Sequence, residues 1–313
     1  MSAKAILIFI DGCGVPPAYM PGSSPLYNSL GILNADYIMG KKSNGFQYLG
    51  LDAQMQVEGI PQSATGQASI FTGLNTQKIM NGHLVAYPTR PLVNLILKNS
   101  LFLKLKQINK NPVFINAYTE DYFRILRQDF GLDAMNYQIT DTDGFTGNIR
   151  IKHRFSVTTI QNLSVNNPFY SISDIESGKS VFHDIDGHTL VKKGLLRKKM
   201  PMEQVRDAFL YNIDKFDLVL FEYFLTDIYG HRQNYEMVHQ SLCMLDDLIT
   251  MLSIALSGQG VSIITASDHG NIEDLGIPGH TKNKALFIYK GAKGPAALGQ
   301  LDEISDFIVN QVS

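Results

Sequence analysis

Short apolar runs alternate with amphipathic segments along most of the chain. The runs are nearly continuous and lie at residues 5–10, 113–117, 218–224, 261–266 and 285–289. Because they are apolar on both faces, they predict central strands of a parallel sheet that helices cover on each side. Helical spacing is clearest at residues 92–108, 202–213, 237–256 and 301–312. Strands that alternate with helices in this way indicate a doubly wound α/β fold with a mostly parallel sheet.

Residues 120–199 depart from this rhythm. They contain few long apolar runs, turn-rich sequence at 140–144 and 166–168, and a gathering of basic residues. We therefore predict a catalytic core formed by residues 1–119 and 200–313, with a small inserted cap at 120–199. The alternative is a long peripheral excursion of a single domain.

Composition narrows the expected partners and location. The chain has 313 residues and a formal net charge of −2, which provides no general attraction to nucleic acid or to an acidic membrane. Any recognition of an anionic substrate must therefore come from local groups. The apolar run at 5–10 is too short for a signal peptide or a membrane span, and the two cysteines form no disulfide framework. We expect a cytoplasmic protein, with its oligomeric state left open.

Acids and histidines cluster around the ends of the predicted strands, where ligands bind in open α/β sheets. These candidate metal ligands are Asp11, Asp227, His231, Asp268, His269 and His280. Each has an ordinary explanation by itself, since an Asp after a strand often caps a helix and a lone His is commonly structural. Together, three carboxylates and three imidazoles suit two divalent ions, Zn²⁺ or Mn²⁺. Two adjacent ions can clamp the attacking and leaving oxygens of a displacement at phosphorus.

A candidate nucleophile lies in the segment 60–73, which reads IPQSATGQASIFTG. The small residues around Gly66 allow a tight turn, and residues 68–71 are typical of the start of a helix. A hydroxyl at a helix N-terminus lies in a positive field beside free N–H groups, an arrangement that suits a phosphate. Coordination to a metal would activate such a hydroxyl. Ser63 and Thr65 are both candidates, and the alternative is that either one only caps the helix.

Five motifs stand in one order along nearly the whole chain. They are Asp11-Gly12, the segment SATGQ at 63–67, the Asp227/His231 pair, the segment SDHGN at 267–271, and the segment GHT at 279–281. In this order they resemble the alkaline phosphatase superfamily. Within it they are most similar to the metalloenzyme branch that contains cofactor-independent phosphoglycerate mutase and phosphopentomutase. The resemblance implies an alkaline phosphatase-like fold.

The resemblance also implies a role for each matching residue. Ser63 takes the position of the hydroxyl that is transiently phosphorylated and contacts the metals, because it stands three residues before the motif glycine. One metal would be held by Asp227, His231 and His280. The second would be held by Asp11, Asp268 and His269. The implied activity is phosphoryl transfer on a small phosphomonoester, by a phosphomutase or a phosphatase with two divalent ions.

Two departures from the branch stand out. Its mutases usually have a His where this chain has Gln67, and the chain is short, so the large inserted transferase domain must be reduced. Two other functions stay open. One is a phosphodiesterase or nucleotide pyrophosphatase, for which Tyr118, Tyr122 and Phe123 would form an aromatic slot. The other is a metal-binding protein of the same fold without catalysis.

Overall fold

The computed structural model describes residues 3–16, 27, 30–41, 43–130, 154–291, 293 and 297–313. Within these ranges the strands are β1 (Lys4–Ile10), β2 (Gln47–Leu51), β3 (Pro112–Phe114), β4 (Ala117–Tyr118), β5 (Tyr170–Ser171), β6 (Leu218–Tyr223), β7 (Val261–Ala266) and β8 (Ala285–Lys290).

The helices within the same ranges alternate with these strands, as the sequence pattern indicated. They are α1 (Ala35–Ile38), α2 (Ser63–Thr72), α3 (Thr76–Met80), α4 (Arg90–Asn99), α5 (Leu101–Gln107), α6 (Glu120–Phe130), α7 (Val157–Ser164), α8 (Ile172–Glu176), α9 (His188–Lys192), α10 (Met202–Lys215), α11 (Leu225–His231), α12 (Tyr235–Ala255) and α13 (Glu303–Val312), with a short 3₁₀ helix at Ile272–Asp274.

Six of the strands form one sheet in the order β2-β8-β7-β1-β6-β3. The four strands β7, β1, β6 and β3 are parallel, with Ile8 of β1 beside Phe221 of β6 and Thr265 of β7. A smaller parallel pair is formed by β4 and β5. The prediction of a mostly parallel sheet within an α/β fold is confirmed.

The strand β8 runs antiparallel to β7, which the sequence pattern did not predict. The chain leaves β7 at Ala266 and enters β8 at Ala285 with only a short 3₁₀ helix between them. This connection does not pass over a face of the sheet, so β8 begins at the end of the sheet where β7 finishes. As a result, the loop before β8 lies beside the carboxyl ends of the parallel strands. The sequence pattern also missed the edge strand β2, which is antiparallel to β8, because four of its five residues are only half-buried.

Two apolar cores cover the two faces of the sheet. Successive residues of β1 enter them in turn, since Ile6 and Ile8 face one core while Leu7 and Phe9 face the other. Helices α10 and α12 pack on the first face, and α2, α4, α5, α7 and α13 pack on the second. Helices therefore flank both faces, as the doubly wound pattern predicted.

The predicted helix at 92–108 is two helices. Ser100 ends α4 with extended backbone angles, and its side chain accepts a hydrogen bond from the N–H of Leu103 in the first turn of α5. The serine therefore caps the second helix while it interrupts the first. The other predicted helices, at 202–213, 237–256 and 301–312, agree with α10, α12 and α13 within two residues.

Part of the predicted insertion packs on the sheet. Phe155 and Ile160 belong to the same buried cluster as Phe114 of β3, and Ile175 and Val181 belong to the cluster on the opposite face. Residues 131–153, the middle of the predicted insertion, lie outside the described residues. The division into a core and a cap at 120–199 stays a prediction. No helix in the described ranges has the length and apolar character needed to cross a bilayer.

Candidate active site

Six side chains converge at one edge of the sheet. Asp11 follows β1, Asp227 lies in α11 just after β6, and Asp268 and His269 follow β7. His280 lies in the loop that returns to β8, and its position depends on the antiparallel direction of that strand. His231, one helical turn after Asp227, completes the set. The structure brings together all six candidate ligands that the sequence indicated.

Asp11, Asp268 and His269 form one buried group. The Nε2 atom of His269 lies 3.2 Å from Oδ1 of Asp11 and 3.5 Å from Oδ2 of Asp268. The donor atoms of these three residues lie within 4.8 Å of one another, as a single ion would require. The group therefore has the spacing of a metal site, with the ligand set that the resemblance implied for the second metal.

Asp227, His231 and His280 form the adjacent group. The Nε2 atom of His280 lies 3.2 Å from Oδ1 of Asp227, and that of His231 lies 3.3 Å from Oδ2. The two imidazole Nε2 atoms are 3.0 Å apart. Nδ1 of His280 donates to the backbone oxygen of Pro61 at 2.8 Å, which fixes the ring with Nε2 directed at the cluster.

The two groups are joined by His269. Its ring stacks on that of His280 with centroids 3.7 Å apart, and its donor atom also lies within 4.8 Å of those of Asp227 and His280. The side chain of His231 is 48% exposed, whereas that of His269 is fully buried. The set of Asp227 and the three imidazoles therefore opens toward solvent on the side of His231.

Burial of like charges strains this cluster electrostatically. Burial and the adjacent Asp268 carboxylate raise the pKa of Asp11 to about 8, and burial raises the pKa of Asp268 to about 6. Burial alone would lower the pKa of His269, but Asp268 and Asp11 raise it to about 10. Burial opposes ionisation of Asp227 as well, yet the hydrogen bond from His280 and the charge on His269 hold its pKa at about 2. The ionised forms of Asp11 and Asp268 therefore need a positive charge close to their carboxylates.

The residues fit a divalent cation. Oδ1 of Asp11 and Oδ2 of Asp268 are buried, and within the described ranges they share a single ion-pair partner, Nε2 of His269, without a hydrogen bond of their own. An unsatisfied carboxylate oxygen in the interior is costly unless it is paired or bound to a metal. A divalent cation satisfies both oxygens and replaces the protons that the raised pKa values otherwise require. Mixed carboxylate and imidazole donors suit Zn²⁺ and Mn²⁺ alike.

Ser63 lies against this cluster as the first residue of α2. Its Oγ is 3.0 Å from Nε2 of His269, and its side chain is nearly buried. Gln62 is the N-cap, so neither candidate hydroxyl caps the helix. Thr65 is fully buried, and its Oγ1 donates to the backbone oxygen of Gln62 and accepts from the N–H of Leu84. Ser63 thus lies beside the candidate ligands, whereas the hydroxyl of Thr65 is hydrogen-bonded to the backbone of Gln62 and Leu84.

Two motif glycines allow the elements of the site to approach one another closely. Gly12 has φ of 70°, and a Cβ there would lie 2.8 Å from Oδ1 of Asp227. A Cβ at Gly66 would lie 2.9 Å from the backbone oxygen of Asp268. Substitution at either position would separate the helix or the strand end from the cluster.

Gln67 contacts the cluster directly. Its Nε2 donates to Oδ2 of Asp11 at 3.1 Å, and the side chain is buried. This is the position at which the chain departs from the mutases of the branch. The amide therefore fixes one oxygen of the Asp11 carboxylate and leaves Oδ1 for a metal.

A cavity of about 510 Å³ opens beside Ser63, and it contains an acid that sequence reasoning missed. Glu222 lines this cavity, and its Oε2 accepts a hydrogen bond from Thr158 at 2.6 Å. Burial raises the pKa of Glu222 to about 7, although the bond from Thr158 opposes the shift. Its signal in the sequence was a single acid inside the otherwise apolar run 218–224, five residues before Asp227.

Three arginines of α4 and α6, Arg90, Arg124 and Arg127, do not line this cavity. Arg124 pairs with Asp121 at 3.1 Å and Arg127 pairs with Glu120 at 2.7 Å, both through exposed acids on α6. Arg90 is the exposed first residue of α4. The cavity is lined by Arg154 and Lys193 instead.

The sequence matches the family described as the Metalloenzyme superfamily over residues 3–306. The chain belongs to this family, which confirms the resemblance to a metalloenzyme branch. It is also similar to a 2,3-bisphosphoglycerate-independent phosphoglycerate mutase of Francisella tularensis subsp. tularensis, at 31% identity over 127 residues. The match covers 37% of this chain and 25% of the mutase. The chain therefore matches only about a quarter of the length of that relative.

Solved structures are similar to the chain at low sequence identity, and one of them has a TM-score above 0.5. The PH0037 protein from Pyrococcus horikoshii has a TM-score of 0.55 at 11% identity, with coverage of 100% of this chain and 98% of that one. An alkaline phosphatase from the Antarctic bacterium TAB5 has a TM-score of 0.44 at 13% identity, with coverage of 99% and 98%. At such identities the likeness concerns the fold alone.

Proposed function

We propose that this chain is a metal-dependent phosphoryl-transfer enzyme, a phosphomutase or phosphatase, with Ser63 as its nucleophile and a small phosphomonoester as its substrate. The observation that carries the proposal is the position of Ser63. Its Oγ lies 3.0 Å from His269, at the N-terminus of a ten-residue helix and at the floor of a cavity open to substrate. Membership in a metalloenzyme family agrees with this chemistry.

The chain itself provides binding and orientation. The N–H groups in the first turn of α2 have no acceptor within the helix, and the helix dipole makes that end positive. A phosphoryl group bound next to Ser63 therefore meets backbone donors and a favourable field. Asp11, Asp268 and His269 would hold one ion, and Asp227, His231 and His280 would hold a second. Divalent ions at these positions would supply positive charge that activates the Ser63 hydroxyl and stabilises the transferred group.

In the proposed reaction, Oγ of Ser63 forms a bond to phosphorus as the bond from phosphorus to the ester oxygen breaks, which gives phosphoserine and an alcohol. Return of the phosphoryl group to a hydroxyl of the substrate completes a mutase cycle. Transfer to water completes a phosphatase cycle. The walls of the cavity decide between the two by holding the alcohol or releasing it.

The test is turnover of phosphomonoesters by purified protein supplied with Mn²⁺ or Zn²⁺. Ser63→Ala is expected to lower kcat by more than about 1000-fold, because it removes the group that forms the covalent intermediate. Thr65→Val is the matched control, since it removes a buried hydroxyl two residues away that is already hydrogen-bonded. Retained turnover in Ser63→Ala, with loss in Thr65→Val, would transfer the role to Thr65.

A second candidate function has one specific observation in its favour. The rings of Tyr118 and Tyr122 are stacked with centroids 4.2 Å apart, and both residues line the cavity. This aromatic wall suits the planar leaving group of a nucleotide diester. Phe123, the third residue predicted for such a slot, is buried against Tyr118 in the core instead. Faster turnover of a nucleotide diester than of any monoester in a parallel panel would favour the diesterase.

A further inference from the structure

We propose that Arg154 and Lys193 form an anion-binding subsite of the cavity beside Ser63, so that the substrate carries a second negatively charged group besides the transferred phosphoryl group. This inference rests on the proposed function of the site. The second group is a carboxylate or another phosphate, which share the same chemistry toward these cations.

The cavity has room for such a substrate. Its volume of about 510 Å³ lies within the roughly 300–1,000 Å³ typical of pockets that enclose whole small molecules. In the proposed reaction the phosphoryl group is bound beside Ser63 and Asp227, which are only two of the residues that line the cavity. The remaining space must be filled by the rest of the substrate, whose charge is selected by the walls.

The charges on those walls are unevenly distributed. Asp11, Asp227 and Glu222 supply acids at the sheet edge, whereas Arg154 and Lys193 supply the cations. The two cations come from different elements, since Arg154 lies shortly before α7 and Lys193 ends α9. Two separate segments of the chain thus bring positive charge to one cavity.

Neither cation forms an ion pair with any residue that the structure describes, although nearby basic residues do. Lys199 pairs with Asp186 at 3.0 Å, and Arg127 pairs with Glu120 at 2.7 Å. Arg154 and Lys193 are exposed to the cavity without a carboxylate partner among the described residues. Each is therefore available to an anion of the substrate, and the planar guanidinium of Arg154 can bind two oxygens of a carboxylate or phosphate at once.

His183, the remaining basic side chain of the cavity, does not add to this charge. Its ring packs between those of Phe182 and Phe224, with centroids 3.9 and 4.7 Å away. Burial lowers the pKa of His183 to about 4, so the imidazole is neutral at pH 7. It forms part of the cavity wall, and the positive charge of the subsite resides on Arg154 and Lys193.

The experiment compares phenyl phosphate with the ortho, meta and para carboxyphenyl phosphates and with phenylene bisphosphate. These probes share one leaving-group skeleton and differ in the second anion and its direction. We expect wild-type protein to show a higher kcat/KM for at least one probe that carries a second anionic group, mainly through KM. Arg154→Gln and Lys193→Gln are each expected to reduce that preference, measured relative to phenyl phosphate, about 2- to 5-fold, since each removes one exposed ion pair.

Lys192→Gln is the matched control. Lys192 is the exposed neighbour of Lys193 and does not line the cavity, so its loss removes the same charge and should leave the preference unchanged. Equal kcat/KM for all probes, or a preference that survives both cavity substitutions, would overturn the subsite. An equal decrease with Lys192→Gln would also overturn it, because the effect would then be one of net charge.

A binding measurement separates this inference from the proposed reaction. Phenylphosphonate and the carboxyphenylphosphonates are titrated calorimetrically into metal-supplied Ser63→Ala protein, with and without Lys193→Gln. Tighter binding of a carboxylated probe that is lost with Lys193→Gln supports the subsite even if no ester is turned over. Turnover of esters without any such difference in affinity would support the reaction and refute the subsite.

Discussion

Substitution of Gly230 by alanine tests how the candidate metal ligand Asp227 is held in place. Gly230 lies in α11 between Asp227 and His231, and a Cβ added there would be 2.4 Å from Oδ1 of Asn271. Nδ2 of that asparagine donates to Oδ1 of Asp227 at 2.7 Å. Ordinary carbon–oxygen contacts begin near 3.4 Å, so Asn271 must move by about 1 Å. The hydrogen bond that orients the carboxylate is then lost.

The magnitude follows from three contributions. Overpacking of an interior contact costs about 1–3 kcal/mol, and loss of a hydrogen bond to a charged group costs about 1.5–3 kcal/mol. Alanine in place of glycine within a helix returns up to about 1 kcal/mol. The net loss is about 1.5–5 kcal/mol. Because unfolding of 313 residues carries an entropy of about 0.7 kcal/mol per kelvin, the expected decrease in Tm is about 2–8 °C.

The assay is thermal unfolding of metal-free and metal-loaded protein, together with calorimetric titration of Mn²⁺ or Zn²⁺. Gly230→Ala should lower Tm and weaken metal binding by about 10-fold or more, as expected when a residue that orients a ligand is displaced. Gly299→Ala is the control, since the nearest atom to its added Cβ is 4.0 Å away. A Tm equal to or above that of wild type, with unchanged metal affinity, would refute the steric reasoning, because helix propensity would then outweigh the clash.

Two further predictions concern the same cluster. Gln67→Leu removes the donor to Asp11, and we expect metal affinity to decrease by about 10-fold or more, whereas Gln67→His should keep a donor and lose less; equal affinities for both variants in a calorimetric titration would contradict this role. In the metal-free protein, the free energy of unfolding should fall as pH rises. Burial raises the pKa of Asp11 to about 8, and Asp268 and Asp11 raise the pKa of His269 to about 10. The metal-free folded chain therefore retains protons that the unfolded chain releases from about pH 4 upward. Unfolding of chelator-treated protein from about pH 6 to about pH 9 should show a falling Tm that added metal restores. A Tm that rises over this range without metal would contradict the assignment of the raised pKa values.

The sequence alone determined the fold class and which residues are candidates for the chemistry of the site. Apolar runs such as 5–10 and 218–224 can be satisfied only by strands that are covered on both faces, so the pattern specified the layers of the fold. The candidate ligands were identified for a related reason, since acids and histidines directly after buried strands such as β1 and β7 must lie at the edge of the sheet. The position of a polar residue directly after a buried strand can be recognised from the order of residues alone.

Only the tertiary structure decided features that depend on the direction and distance of remote segments. No local signal distinguishes an antiparallel β8 from a parallel one, yet that direction places His280 beside Asp227 at 3.2 Å. The burial of Glu222 and the convergence of Arg154 and Lys193 on one cavity likewise depend on contacts between segments far apart in the chain. Sequence patterns indicate whether a residue is buried or exposed in its strand or helix. Packing across the whole domain determines which side chains come together at the site and what charge they carry.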